Sequence, residues 1–144
     1  MKNFVESRVT TYFQINDYNC VKTDLLALAE YFDVKLDHQI LSAAVGMHGA
    51  GGYRAQCGLV EGTLMFLGII GAEKNVSENN IITACYDFGK EFEAEFSSLQ
   101  CRTLRPFGFN KTDPPHLCKD LTCKTVSFSI TFVKKRVQLW ATND

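Results

Sequence analysis

Several features are missing from this chain. No apolar run is long enough to cross a bilayer: the longest, Gly62 to Ala72, falls short of the roughly 20 residues a spanning helix needs. The opening Met-Lys-Asn-Phe-Val-Glu-Ser-Arg lacks the apolar stretch of a secretory signal, so a soluble, cytoplasmic protein is expected. Net charge is almost absent at −1, which leaves no general field to recruit nucleic acid or an acidic membrane. The one basic cluster, Lys134-Lys135-Arg136, reads as the solvated end of an element, and neither a nucleic-acid nor a membrane partner is expected. Internal repeats and low-complexity segments are also absent. None of the cysteine spacings is the compact Cys-x-x-Cys of a zinc ribbon or a thioredoxin motif.

What is present bounds the fold. A length of 144 residues suits one domain, residues 1–144, able to bury roughly two thirds of the surface of its unfolded chain. With 46% hydrophobic and 22% charged residues it has the composition of an ordinary globular protein. Such a chain does not need disulfides merely to fold. In a reducing compartment its six cysteines are therefore expected as metal ligands, catalytic thiols or buried hydrophobes.

Helical periodicity dominates the first two thirds. Val21, Leu25, Leu28, Ala29 and Phe32 fall on one stripe, with Asp17 or Asn19 available as the N-cap and Cys20 in the first turn. A short helix is expected at His38 to Val45, and a third from about Arg54 to Ile70. On the third, Gly58 and Gly62 make a smooth strip for close helix packing or ligand approach. Asn75 or Ser77 can cap a fourth helix through about Leu99, whose stripe includes Ile81, Cys85, Phe88, Phe92 and Phe96. Cys85 on that stripe reads as a small buried hydrophobe. Residues Arg105 to Pro115 read as a surface connection. The last segment fits both states: Val126 to Phe132 alternates like a strand, whereas Val126, Ile130, Val133 and Val137 fit a helix that Thr122 could cap. The expectation is a mainly α, single-domain bundle of four to five helices whose C-terminal segment could be strand.

The segment from Gly46 to Gly62 carries the most chemical information. It is a glycine-rich loop that delivers Cys57 to a helix N-terminus, where unpaired N–H groups and the macrodipole favour a thiolate. Cys20 and Cys123 are expected in first turns as well, so positive helix ends are expected to converge. His38 and His48 read as a first-turn residue and a loop residue, and Glu61 as an exposed helix carboxylate.

The order of these features resembles the C-GCAxxG-C-C family of small redox proteins, named for its own cysteine pattern. Tyr18-Asn19-Cys20 and the helix after it look like the family's first cysteine and helix. Gly46 to Gly52, then Cys57-Gly58-Leu59-Val60-Glu61-Gly62, look like its central motif. Phe96 to Arg102 resembles the third cysteine after a long helix, and Cys123 or Cys118 would be the fourth. The resemblance implies a helical fold and redox activity, or a metal or iron–sulfur centre held by Cys20, Cys57, Cys101 and Cys123 (or Cys118). Soft thiolates suit either iron–sulfur clusters or zinc. On this reading Cys57 is the most activated thiolate and Cys20 its nearest partner. Gly49, Gly51, Gly52 and Gly58 line the site, and the partner is an electron donor or acceptor.

Two other functions compete. Gln14 to Cys20 also looks like the start of a papain-like, bacteriocin-processing cysteine peptidase with Cys20 as nucleophile and His116 as the available base. A non-catalytic binding module would instead use the Gly58/Gly62 face and would show isolated cysteines.

Overall fold

A computed structural model describes residues 1–114 and 116–142. Pro115, at the end of the expected connection, and residues 143–144, at the end of the expected domain, lie outside the described residues. Among the described residues, seven α-helices carry the fold. They are α1 (Lys2–Val9), α2 (Cys20–Tyr31), α3 (His38–Ala43), α4 (Gly58–Glu73), α5 (Glu78–Phe96), α6 (Cys101–Leu104) and α7 (Lys119–Thr142). The mainly α expectation holds, with more helices than the four to five read from sequence. The additions are α1, which runs on into a π-helical turn at Thr10–Ile15, and the single turn α6.

The C-terminal segment is helix and not strand. Val126, Ile130 and Val133 are fully buried or nearly so on one face of α7, and Thr122, Thr125 and Ser129 are buried with them. Of the three polar positions in the alternating stretch, Ser129 is buried, Ser127 half-buried and Thr131 exposed, so the alternation does not mark two faces of a strand. Within a helix the buried hydroxyls are tolerable because Thr122 Oγ1 donates back to the Cys118 carbonyl (2.8 Å) and Ser129 Oγ meets Thr63 Oγ1 (2.8 Å).

The hydrophobic core forms where α2, α4, α5 and α7 meet, around Leu25, Leu28, Leu59, Phe66, Leu67, Phe88, Phe92 and Ile130. The aromatic stripe of α5 packs into α7, with Phe88 edge-on to Phe132 at 5.2 Å. Local signals set the helix ends. Asn19 caps α2 by accepting from Lys22 N (2.9 Å), Ser77 caps α5, and Ser97 ends α5 in a left-handed conformation at φ 67.

Helices α2 and α4 are in intimate contact. A Cβ added at Gly58 would collide with Cys20 Sγ, and one at Gly62 would lie 2.8 Å from Asp24 Oδ2. The smooth strip on α4 is therefore a packing device that α2 covers.

Asp24 lies wholly inside this contact. Its Oδ2 is 2.8 Å from Thr63 Oγ1, and its Oδ1 is buried without a hydrogen-bond partner. Burial pushes the carboxyl from its ordinary 3.8 up to about 8, against a smaller downward effect of the Thr63 hydroxyl. A neutral acid also completes the local bonding. Asp24 O–H and Ser129 O–H can both donate to Thr63 Oγ1, which leaves the Thr63 proton for the Leu59 carbonyl at 3.1 Å.

Two predictions follow from this packing. Between pH 3.8 and about 8 the folded state holds one proton more than the unfolded chain. Stability is therefore expected to fall as pH rises through that window, by up to about 1.4 kcal/mol per pH unit, and to level off above it. Asp24→Asn removes the titrating proton, and urea unfolding from pH 5 to 8 is expected to give a flatter profile for it; parallel profiles would contradict a buried neutral acid. The second concerns the glycines of α4. Gly58→Ala is expected to destabilise by about 1–3 kcal/mol through overpacking. Gly68→Ala, whose added Cβ meets nothing within 4 Å, is expected to stabilise by up to about 1 kcal/mol. Paired thermal melts check the opposite signs.

Candidate functional site

Four cysteines line a single cavity of about 290 Å³: Cys20, Cys57, Cys101 and Cys118. Each stands where a helix starts. Cys20 is the first residue of α2, Cys57 the N-cap of α4, Cys101 the first residue of α6, and Cys118 directly precedes α7, its carbonyl accepting from Thr122 N at 2.7 Å. The expected convergence of helix N-termini is present, with Cys118 in the position that Cys123 was expected to fill. Cys123 lies within α7 and lines a different cavity with Val5, Glu6 and Phe128. Cys85 stays apart on α5, half-buried, its Sγ 4.0 Å from the Leu64 carbonyl.

Backbone pairing brings the cysteines together. Cys57 N donates to the Leu99 carbonyl and Cys101 N to the Ala55 carbonyl, both at 2.8 Å. This short antiparallel bridge, centred on Gln56 and Gln100, fixes Cys57 beside Cys101. Asn19 ties α2 to the turn before the glycine loop, its Nδ2 donating to the Ala44 and Val45 carbonyls at 3.1 Å each.

The glycines act largely by giving way. Gly49, at φ 62, is buried, and an added Cβ would press on the Arg54 backbone at 3.3 Å and on Cys101 Cβ at 3.5 Å. Gly58 clears room for the Cys20 sulfur. Gly52, at φ 84, lines the cavity, whereas Gly51, at φ 66, is needed for the left-handed turn and faces open space.

Electrostatics divide the ring of thiols into two halves. Burial pushes Cys57 up to about 12, despite the backbone N–H groups of Leu59 and Val60 that act the other way. Cys20 is raised further, by burial first and then by the other three thiols. At Cys57, expected from the sequence to be the most activated thiolate, desolvation outweighs the helix N-terminus. Cys101 and Cys118 are also raised by burial, but Arg105 lowers both and Arg54 lowers Cys101. The cavity therefore has an inner, neutral pair and an outer pair under two guanidinium groups.

Those arginines went unnoticed in the sequence. Both guanidiniums stack on Phe109, at 3.7 Å for Arg54 and 4.5 Å for Arg105. The signal available was an arginine just past the glycine loop, together with Arg105 and Phe109 in a connection read as mere surface.

The competing constellations are not assembled. His116 Nε2 lies 2.9 Å from Asp17 Oδ1 and its ring meets Phe13 edge-on, but among the described residues no imidazole is hydrogen-bonded to Cys20. His48 lines the cavity, with Nδ1 3.0 Å from the Val45 carbonyl. Glu61 is half-buried and accepts from Gln56 Nε2 at 3.1 Å. The isolated cysteines of a simple binding module are not what the cavity contains, and α2 covers the Gly58/Gly62 face. Among the described residues, no three His, Cys, Asp or Glu side chains are grouped so as to hold a single metal ion, and no helix is long and apolar enough to cross a membrane.

Compared with known proteins, residues 18–131 match the family model described as "Putative redox-active protein (C_GCAxxG_C_C)". No curated protein and no solved structure matches the chain.

The division of the ring is open to direct measurement. Iodoacetamide at pH 7 is expected to label Cys101 and Cys118 before Cys20 and Cys57, with the inner pair at least about tenfold slower. Peptide mass spectrometry over a time course reads the order, and early labelling of Cys57 would contradict the division.

Proposed function

Because the chain belongs to the C_GCAxxG_C_C family, whose members are described as redox-active, we propose that Cys20, Cys57, Cys101 and Cys118 form one redox centre working by thiol–disulfide exchange. The observation that carries this reading is that all four thiols line one cavity and that every pairing among them is electrostatically felt. Cys101 starts the reaction, because it faces both Arg54 and Arg105 and is the thiol those charges most help to ionise. Its thiolate attacks one sulfur of a substrate disulfide; that S–S bond breaks and the departing thiolate takes a proton. Cys118 then attacks Cys101 in the mixed disulfide, forming Cys101–Cys118 and releasing the second thiol. Two electrons and two protons pass from the cysteine pair to the substrate. Cys57 and Cys20, neutral and deeper, can receive the disulfide by internal exchange and so shelter it from solvent.

A second reading has its own support. Four helix N-termini around four soft ligands suit an iron–sulfur cluster, whose anionic charge they would offset, and a ring of thiols around a cavity fits a polynuclear group better than a single ion. Cys20, Cys57, Cys101 and Cys118 would hold it. The cluster would supply one-electron transfer in place of thiol exchange.

Anaerobic purification from iron-supplemented cells, with iron, acid-labile sulfide, visible spectrum and thiol counts before and after dithiothreitol, tests both readings. Thiol exchange predicts a metal-free protein in which an added small disulfide forms a dithiothreitol-reducible disulfide, lost in Cys118→Ser and retained in Cys123→Ser. Stoichiometric iron and sulfide, lost in the same variant, would replace it with the cluster. Neither result in the wild-type protein would overturn both.

A further inference from the structure

The cavity also carries information about what enters it. Its walls are mostly apolar, with Phe13, Leu59, Phe109 and Leu121 between the thiols. At about 30 Å³ per water-sized volume, 290 Å³ holds on the order of ten non-hydrogen atoms. That is the size of a small organic molecule and far below that of a folded polypeptide segment.

Two cations border this space, and they are not equally engaged. Arg105 donates from Nη2 to Asp113 Oδ2 at 3.2 Å and from Nε to the Gly108 carbonyl at 3.1 Å. Arg54 has no such partner among the described residues. Its guanidinium stacks on Phe109, while its backbone carbonyl accepts from Arg102 Nε at 3.1 Å, which fixes the main chain and leaves the side chain's donors free. A stacked guanidinium has both faces in use at most, with its N–H edge still available to a carboxylate. Among the described residues, the other polar side chains lining the cavity apart from the thiols are those of Asn19 and His48, and neither is anionic.

We propose that the substrate of this centre is a low-molecular-weight disulfide bearing a carboxylate, which the Arg54 guanidinium holds while its sulfur–sulfur bond meets Cys101. The inference rests on the thiol-exchange reading above and adds to it the class of molecule. The chemistry is the two-step exchange already described: the protein pair gives up two electrons and two protons, and the substrate leaves as two thiol acids. Arg105, already paired with Asp113, keeps the segment carrying Phe109 in place and contributes charge at the outer thiols.

Two probes of similar size separate charge from reactivity: dithiodiglycolate, a dianion, and hydroxyethyl disulfide, which is neutral. The fully reduced chain is mixed with an excess of each, and the rate of thiol loss is followed. In the wild type, the dianion's rate is expected to fall steeply with added salt while the neutral probe's changes little. Arg54→Gln lowers both rates through its effect on Cys101, but is expected to lower the dianion's by about tenfold more, the scale of one charge-assisted hydrogen bond. Arg54→Lys is expected to restore part of that preference, and melting temperatures confirm that the variants are folded. A salt response and an Arg54→Gln effect equal for the two probes would overturn the carboxylate preference and leave thiol exchange standing. If neither probe oxidises the wild-type thiols, the exchange reading itself fails.

Discussion

The near contact between α2 and α4 is the constraint on which the rest of the structure depends. At Gly58 and Gly62 no side chain fits, because the Cys20 sulfur and the Asp24 carboxyl occupy the space where a Cβ would go. Two glycines in one helix cost roughly 1 kcal/mol each in propensity. The return is an approach close enough to bring the first turn of α2 beside the first turn of α4. Cys20 and Cys57 are thereby placed in one cavity, and the Gln56–Gln100 backbone bridge then adds Cys101. Only the entry of α7, carrying Cys118, is needed to close the ring.

That architecture sets two electrostatic effects against each other, and their balance differs around the ring. Each thiol has a helix N-terminus near it, a partial positive charge that favours the thiolate by about 0.3–1 kcal/mol where solvent reaches it. Burial works the other way and is larger for Cys20 and Cys57, which lie deepest. At Cys101 and Cys118 a full positive charge is added by arginine, and the opposition is milder. The guanidiniums thus act on the outer pair alone, while the helix ends act on all four.

The sequence made much of this legible. The stripe of α2, its Asn19 cap, the glycine strip and the aromatic face of α5 were readable from periodicity, and Cys20, Cys57 and Cys101 came from the family resemblance. The fourth was left open between Cys123 and Cys118, for a definite reason. Thr122 before Cys123 has the form of an N-cap, but α7 begins at Lys119, and Thr122 is an interior residue bonded back to Cys118. Moving the start by a few residues exchanges the roles of the two cysteines. Cys118 becomes the residue at the helix entrance, and Cys123, five positions on, faces another way. The strand-like alternation of Val126 to Phe132 misled through the same helix, because Ser129 is polar in sequence and interior in space, while Thr131 is exposed on the opposite side of the turn. Arg54 and Phe109, separated by more than fifty residues, meet only through tertiary structure, so no local pattern could pair them.

The buried hydroxyls and carboxyl below the thiols have a structural logic of their own. Asp24 follows Cys20 by one helical turn, Thr63 follows Leu59, and Ser129 reaches them from α7, so one polar cluster touches all three helices. An apolar trio of similar volume would pack at least as stably, since burying these groups is costly and Asp24 Oδ1 is left without a partner. Such a trio would, however, tolerate sliding of α7 along α2 and α4, whereas a hydrogen bond from Ser129 to Thr63 at 2.8 Å does not. A slip of one turn in α7 would carry Cys118 about 5 Å out of the cavity. The polar cluster therefore fixes the register that keeps the fourth thiol with the other three, and the cost of burying Asp24 as a neutral acid is borne where it holds the four thiols together.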